Sequence, residues 1–166
     1  MKKTIVITGS TRGIGLGMAQ EFLSRGHRVV ITGTSEESVE KGLRSLGENE
    51  NLIGTPCLVQ DTDSISSVWN KAIEAFETVD IWINNAGVAT SRKNLDELSF
   101  DEITQTIDTN LTGTILATRI ISEKMLKQGS GQIYMFEMIL SLVASFSQAM
   151  DNFKKVSRFM DQQNVR

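Results

Sequence analysis

Thr4-Ile5-Val6-Ile7-Thr8-Gly9-Ser10-Thr11-Arg12-Gly13-Ile14-Gly15 opens the chain with an apolar run that breaks into three closely spaced glycines. Thr4 to Ile7 has the short, β-branched character of a buried strand. Leu16 to Arg25 follows with helical character and closes on Gly26. Strand, glycine turn and helix, in that order, build a cradle for a dinucleotide's phosphates. The glycines let the backbone approach a pyrophosphate, and the N–H groups that open the helix have no partners of their own. Gly9, Ser10, Thr11, Arg12, Gly13, Ile14 and Gly15 are therefore the first candidate cofactor-binding residues. A lone glycine pattern is often an ordinary turn, but the flanking strand and helix favour the phosphate reading here.

Strand and helix signals alternate along the rest of the chain. Val29-Val30-Ile31-Thr32 reads as a second buried strand, ended by Gly33. Ser35 caps a helix running to Leu46, with Glu36 and Glu37 at its positive end. Cys57-Leu58-Val59 reads as a short third strand. Asp63 or Ser64 then starts a helix with Val68, Ala72, Ile73 and Phe76 on one face. Asp80-Ile81-Trp82-Ile83 is a fourth strand. Ser99 and Glu102 form a capping box that opens a long helix through Ile103, Ile107, Leu111, Ile115 and Met125. Gly129-Ser130-Gly131 breaks it, and Ile133 to Phe136 makes a fifth strand. This alternation predicts an α/β fold, a Rossmann-like doubly wound parallel sheet in the order 3-2-1-4-5. Residues 1–137 form the nucleotide-binding part. Residues 138–166 are an atypical helical tail of the same domain. In that tail Leu142, Val143, Phe146, Met150, Phe153 and Met160 predict an amphipathic helix from about Ile139 to Gln162.

Composition excludes several classes. At 166 residues the chain can bury one real core. A net charge of −3 with scattered basic residues argues against nucleic acid or an anionic membrane as partner. No apolar run reaches membrane-spanning length, and the segment after Met1-Lys2-Lys3 is too short for a signal peptide. With Cys57 as the single cysteine and His27 as the single histidine, an internal disulfide is excluded and no metal site is expected. Trp69, Trp82 and Cys57 read as core, and His27 as a turn residue. A cytoplasmic location is the expectation.

Asn84-Asn85-Ala86-Gly87 is a second motif at a strand end. Together with the Thr-Gly-x-x-x-Gly-x-Gly loop it makes the chain resemble the short-chain dehydrogenase/reductase family over residues 1 to about 137. The resemblance implies a nicotinamide dinucleotide as cofactor and hydride transfer to or from a carbonyl or alcohol carbon. Asp61 and Thr62 look like the family's adenine-contacting pair, the lesser alternative being that Asp61 is a loop aspartate capping the next helix. Asn84, Asn85, Ala86 and Gly87 would pack beside the cofactor and hold the strands in register. Asn110, in Thr109-Asn110-Leu111, matches the family's catalytic asparagine, which binds water through a locally opened helix. It could also be a solvated helix residue. Gly33 and Thr34, at the end of the second strand, carry no charge to repel a 2′-phosphate, and Arg12 could pair with one. Glu36 lies past the strand end and reads as helix charge. NADP is therefore favoured, with NAD as the alternative.

The resemblance stops at the proton-transfer set. The family places a serine and then Tyr-x-x-x-Lys after the fifth strand. Here Met138 falls at the serine position and Asp151 at the tyrosine position, with Lys155 near the lysine position. Tyr134, the only tyrosine, lies within the strand. Ser141, Ser145 and Ser147 offer hydroxyls without a tyrosine downstream. The chain thus reads as truncated or replaced relative to the family. This leaves the fifth strand as an edge that invites pairing with another chain, in a homo-oligomer for example. Two functions follow from the sequence: an NADP-dependent oxidoreductase acting on an unspecified small molecule, or an inactive NADP-binding module that partners a full-length relative.

Overall fold

The computed structural model describes residues 1–89 and 97–136. The helix expected over Ile139 to Gln162 lies outside the described residues, as do Met138, Ser141, Ser145, Ser147, Asp151 and Lys155. Five parallel strands, β1 (Thr4–Ile7), β2 (Arg28–Gly33), β3 (Leu52–Pro56), β4 (Ile81–Asn84) and β5 (Gln132–Met135), form one sheet in the order β3-β2-β1-β4-β5. The helices are α1 (Gly13–Ser24), α2 (Glu36–Leu46), α3 (Thr62–Phe76), α4 (Phe100–Ile107) and α5 (Gly113–Gln128).

The two-residue period of the strands sorts the core into two layers. Ile5, Ile7, Val29, Ile31, Ile81 and Ile83 pack with Met18, Ala19 and Phe22 of α1. Val6, Val30 and Trp82 face the other way, onto Ile65, Val68, Trp69, Ala72 and Phe76 of α3 and onto Ala117, Ile121 and Met125 of α5. Both tryptophans are buried core residues, as expected. His27 sits in the turn between α1 and β2, where its Nδ1 accepts from Lys3 N–H at 3.1 Å.

Three elements depart from the expectation. The third strand is Leu52–Pro56 rather than Cys57-Leu58-Val59. Gly54 and Pro56 disguise it, yet both suit an edge strand. A Cβ on Gly54 would stand 2.5 Å from Val39 Cγ1, and Pro56 sits at the strand end, where a ladder donor is dispensable. The third helix starts at Thr62, because Asp61 is its N-cap and accepts from Asp63 N–H at 3.0 Å. The single long helix is α4 and α5 joined by a π-turn, Asp108–Thr112. One extra residue in that turn rotates everything after it by about a quarter turn. Ile107 before the turn, Leu111 within it and Ile115 after it stand half-exposed, while after the turn Gly113, Ala117, Ile121 and Met125 form the buried face. β5 is an edge strand that pairs only with β4 among the described residues.

Candidate functional site

The glycine loop lies where the strand order reverses, at the carboxyl ends of β1 and β4, which is where ligands bind in open α/β sheets. Gly9 and Gly13 adopt left-handed φ values of 61° and 58°. Close approach also demands glycine: a Cβ on Gly9 would stand 2.7 Å from Ala86 Cα, and one on Gly15 would stand 2.7 Å from Gly9 O. The loop is fastened from β4. Asn85 Nδ2 donates to Thr8 O at 2.8 Å and to Gly9 O at 3.0 Å, while Thr8 Oγ1 accepts from the N–H groups of Asn85 and Ala86.

This fastening leaves the N-terminus of α1 open. Ser35, Asp61 and Ser99 cap α2, α3 and α4 with their side chains, and each of those helices has an acid in its first turn. Helix α1 has neither: Arg12 at its N-cap makes no capping bond, and the first turn holds no acid. The first backbone bond into the helix is Leu16 N–H to Arg12 O at 3.3 Å. The N–H groups of Gly13, Ile14 and Gly15 have no partner among the described residues, so they and the helix dipole suit an anion.

Ser10 faces inward, toward β2. It is fully buried, its Oγ donates to Ile7 O at 2.6 Å and accepts from Thr32 N–H at 2.9 Å, and its own N–H donates to Thr32 O. Its hydroxyl and N–H are thus spent on tying β1 to β2. Thr11 and Gly33 meet directly, since a Cβ on Gly33 would lie 2.7 Å from Thr11 Cγ2 and against Ser38 Oγ. Arg12 and Thr34 are exposed beside that contact.

The asparagines divide their work. Asn84 is buried, accepting from Trp82 Nε1 at 2.9 Å and donating to Thr118 Oγ1 at 3.0 Å, so its side chain holds β4 to α5. Asn110 sits inside the π-turn, in accord with the locally opened helix the resemblance implied. Its Oδ1 accepts from Val88 N–H at 2.8 Å and its Nδ2 donates to Val88 O at 2.9 Å. Its side chain thus grips the strap that continues Asn84-Asn85-Ala86-Gly87, and its carbonyl accepts from Thr114 Oγ1. It is part-buried, with both ends of its amide engaged by the Val88 backbone. Asp61 and Thr62 are exposed at the carboxyl edge, with Asp61 combining its capping bond with an outward position.

Tyr134 packs partly against the α1 layer, its hydroxyl donates to Gln132 Oε1 at 3.3 Å, and burial raises its pKa. Its place in β5 does not suit a proton donor. Thr8, Thr32 and Val88 are residues of this site that sequence reasoning passed over. A threonine ending each of two otherwise apolar strands was the available signal for the first two. Among the described residues, no group of histidine, cysteine or acid could hold a metal. Burial pushes the Cys57 thiol up to about 11, against the opposing hydrogen bond from Ser64. Only roughly a thousandth of it is thiolate at pH 8. Iodoacetamide at that pH should therefore label the folded chain at least about 30-fold more slowly than the urea-unfolded chain, followed by mass spectrometry.

With this geometry in place, the chain belongs to the short chain dehydrogenase family, whose model matches residues 3–150. It is 35% identical over 147 residues to the probable chlorophyll(ide) b reductase NYC1, chloroplastic, of Arabidopsis thaliana, covering 78% of this chain and 30% of that protein. It is 40% identical over 130 residues to the chlorophyll(ide) b reductase NOL, chloroplastic, of the same plant, covering 76% and 37%. The solved structure of ElxO with NADP bound superposes with a TM-score of 0.75 at 31% identity, covering 90% of this chain and 61% of ElxO. The chain spans about a third of the length of these curated relatives. Among its described residues no helix is long and apolar enough to cross a membrane.

Proposed function

We propose that this chain binds NADP(H) across the carboxyl ends of β1 and β4, as the cofactor-holding part of a short chain dehydrogenase-type oxidoreductase. The open N-terminus of α1, beside the Gly9 loop that Asn85 fastens to β4, carries the reading. Residues 1–137 are the binding domain and 138–166 its extension. The pyrophosphate would lie on the N–H groups of Gly13, Ile14 and Gly15, and the adenine beside Asp61 and Thr62. The nicotinamide would lie near Ala86, Gly87 and Val88. Bound there, the nicotinamide would exchange hydride with a carbonyl or alcohol carbon. NADP over NAD is supported by Arg12, by the uncharged Gly33 and Thr34, and by the NADP that ElxO carries. Asn110 fixes the strap that borders the nicotinamide end. A single cysteine, with no internal disulfide to form, supports a reducing compartment such as the cytoplasm.

The absence of Tyr-x-x-x-Lys from the sequence favours binding without turnover by this 166-residue chain. Titrating the purified chain into NADPH, read by nicotinamide fluorescence, should give saturable binding. A panel of aldehydes and ketones should then leave NADPH absorbance unchanged. Absence of saturation would remove the cofactor reading, whereas steady oxidation of NADPH by a carbonyl would remove the inactive-module reading and keep the cofactor.

A further inference from the structure

One side-chain pair lies outside every role given above. Gln60 Nε2 donates to Thr109 Oγ1 at 2.7 Å, across 49 residues of sequence. Thr109 is buried in the π-turn, one residue before Asn110, whereas Gln60 directly precedes Asp61. A second contact lies on the other flank of the same turn. A Cβ on Gly113 would stand 2.6 Å from Val59 Cγ2 and 3.2 Å from Val59 O. The loop after β3 therefore grips the π-turn at both ends, by a hydrogen bond at Thr109 and by close packing at Gly113.

A π-turn is a strained insertion in a helix and needs outside contacts to keep its phase. What it holds here is Asn110, whose two bonds to the Val88 backbone need the turn in register. We infer that Gln60 is a positioning residue: through Thr109 it keeps the π-turn in register and so links the adenine-side loop to the Val88 strap at the nicotinamide end. This inference rests on the cofactor reading for what the strap borders, but the mechanical link itself does not need the cofactor.

The link has two independent readouts. In the chain without cofactor, Gln60→Ala and Thr109→Val should each speed hydrogen exchange of the Val88 amide about fivefold, the worth of one neutral hydrogen bond. Thr109→Ser keeps the hydroxyl and should restore the wild-type rate. With ligand, Gln60→Ala should weaken NADPH about fivefold yet change the affinity for 2′,5′-ADP, which lacks the nicotinamide, by less than about twofold. The Gln60→Ala, Thr109→Val double variant should resemble either single one, because both remove the same bond. Unchanged Val88 exchange in both single variants would overturn the inference, whatever NADPH does. Equal losses for NADPH and 2′,5′-ADP would overturn it too, since Gln60 would then serve only the adenine loop. Failure of the unaltered chain to bind NADPH would instead overturn the cofactor reading and, with it, the role at the nicotinamide end. The exchange measurement would still decide the link to Val88.

Discussion

Gly15→Ala should weaken NADPH binding about 10- to 100-fold, although it adds one methyl group. The methyl would stand 2.6 Å from Asn85 Nδ2 and 2.7 Å from both Gly9 O and Ser10 Cα. Two of those three neighbours are backbone, and the third is the amide that fastens the loop to β4. None can yield without moving the phosphate cradle, and overpacking of this kind costs about 1–3 kcal/mol. The least costly relief is to swing Gly9 and Ser10 away from Asn85. That displaces the loop from the N–H groups of Gly13 and Ile14, so the strain appears as lost affinity. An internal control lies two residues on. Gly17 sits in the same helix with nothing within 4 Å of its virtual Cβ, so Gly17→Ala should leave NADPH affinity unchanged. It should also raise thermal stability, because alanine is favoured over glycine in a helix interior by up to about 1 kcal/mol. Fluorescence titration and melting of the two variants check both statements. Equal NADPH affinity in Gly15→Ala and the unaltered chain would mean that the cradle does not seat the phosphates.

The contrast between Gly15 and Gly17 also marks how far the sequence could be read. Strand order and the two-sided core were legible, because Ile5, Val6 and Ile7, or Ile81, Trp82 and Ile83, leave no polar face. Such runs fit only a sheet covered on both sides. The capping residues Ser35 and Ser99 were legible for a local reason, since each bonds an N–H three residues ahead. Contacts across long sequence separations were not. Nothing local says that Ser10 turns inward to β2, or that Asn85 reaches back 77 residues to Thr8. β3 was hidden because Gly54 and Pro56 carry poor strand propensity, and the register with β2 and packing by Val39 overrode it. In the long helix the apolar residues were visible but their phase was not. The π-turn at Asp108–Thr112 moves the buried face to Gly113, Ala117, Ile121 and Met125, and it draws its outside support from Gln60 and Val59.

Arg12→Glu should invert cofactor preference, lowering NADPH affinity about 30- to 100-fold while changing NADH affinity by less than about threefold. Thr11 seats against Gly33 at the end of β2, which brings the exposed Arg12 to the edge where a ribose 2′-substituent would project. A guanidinium on a phosphate there forms charge-assisted bonds worth about 1.5–3 kcal/mol, or roughly 10- to 150-fold. Glutamate removes those bonds and adds repulsion. The same change should not unfold the chain, because an acid at the start of α1 complements the helix dipole, and that first turn holds none at present. Gly33-Thr34-Ser35-Glu36-Glu37 holds no lysine or arginine, and Lys41, one turn further on, pairs with Glu37, so no basic residue at the strand end would compensate. Since the site is open to solvent, the NADPH penalty should shrink as ionic strength rises from about 0.05 to 0.5 M. Parallel titrations with NADPH and NADH at both salt concentrations separate the alternatives. An equal loss for the two cofactors would place Arg12 on the shared pyrophosphate. No loss for either would leave the 2′-phosphate to other residues, and the preference for NADP would lose its only charged support in this loop.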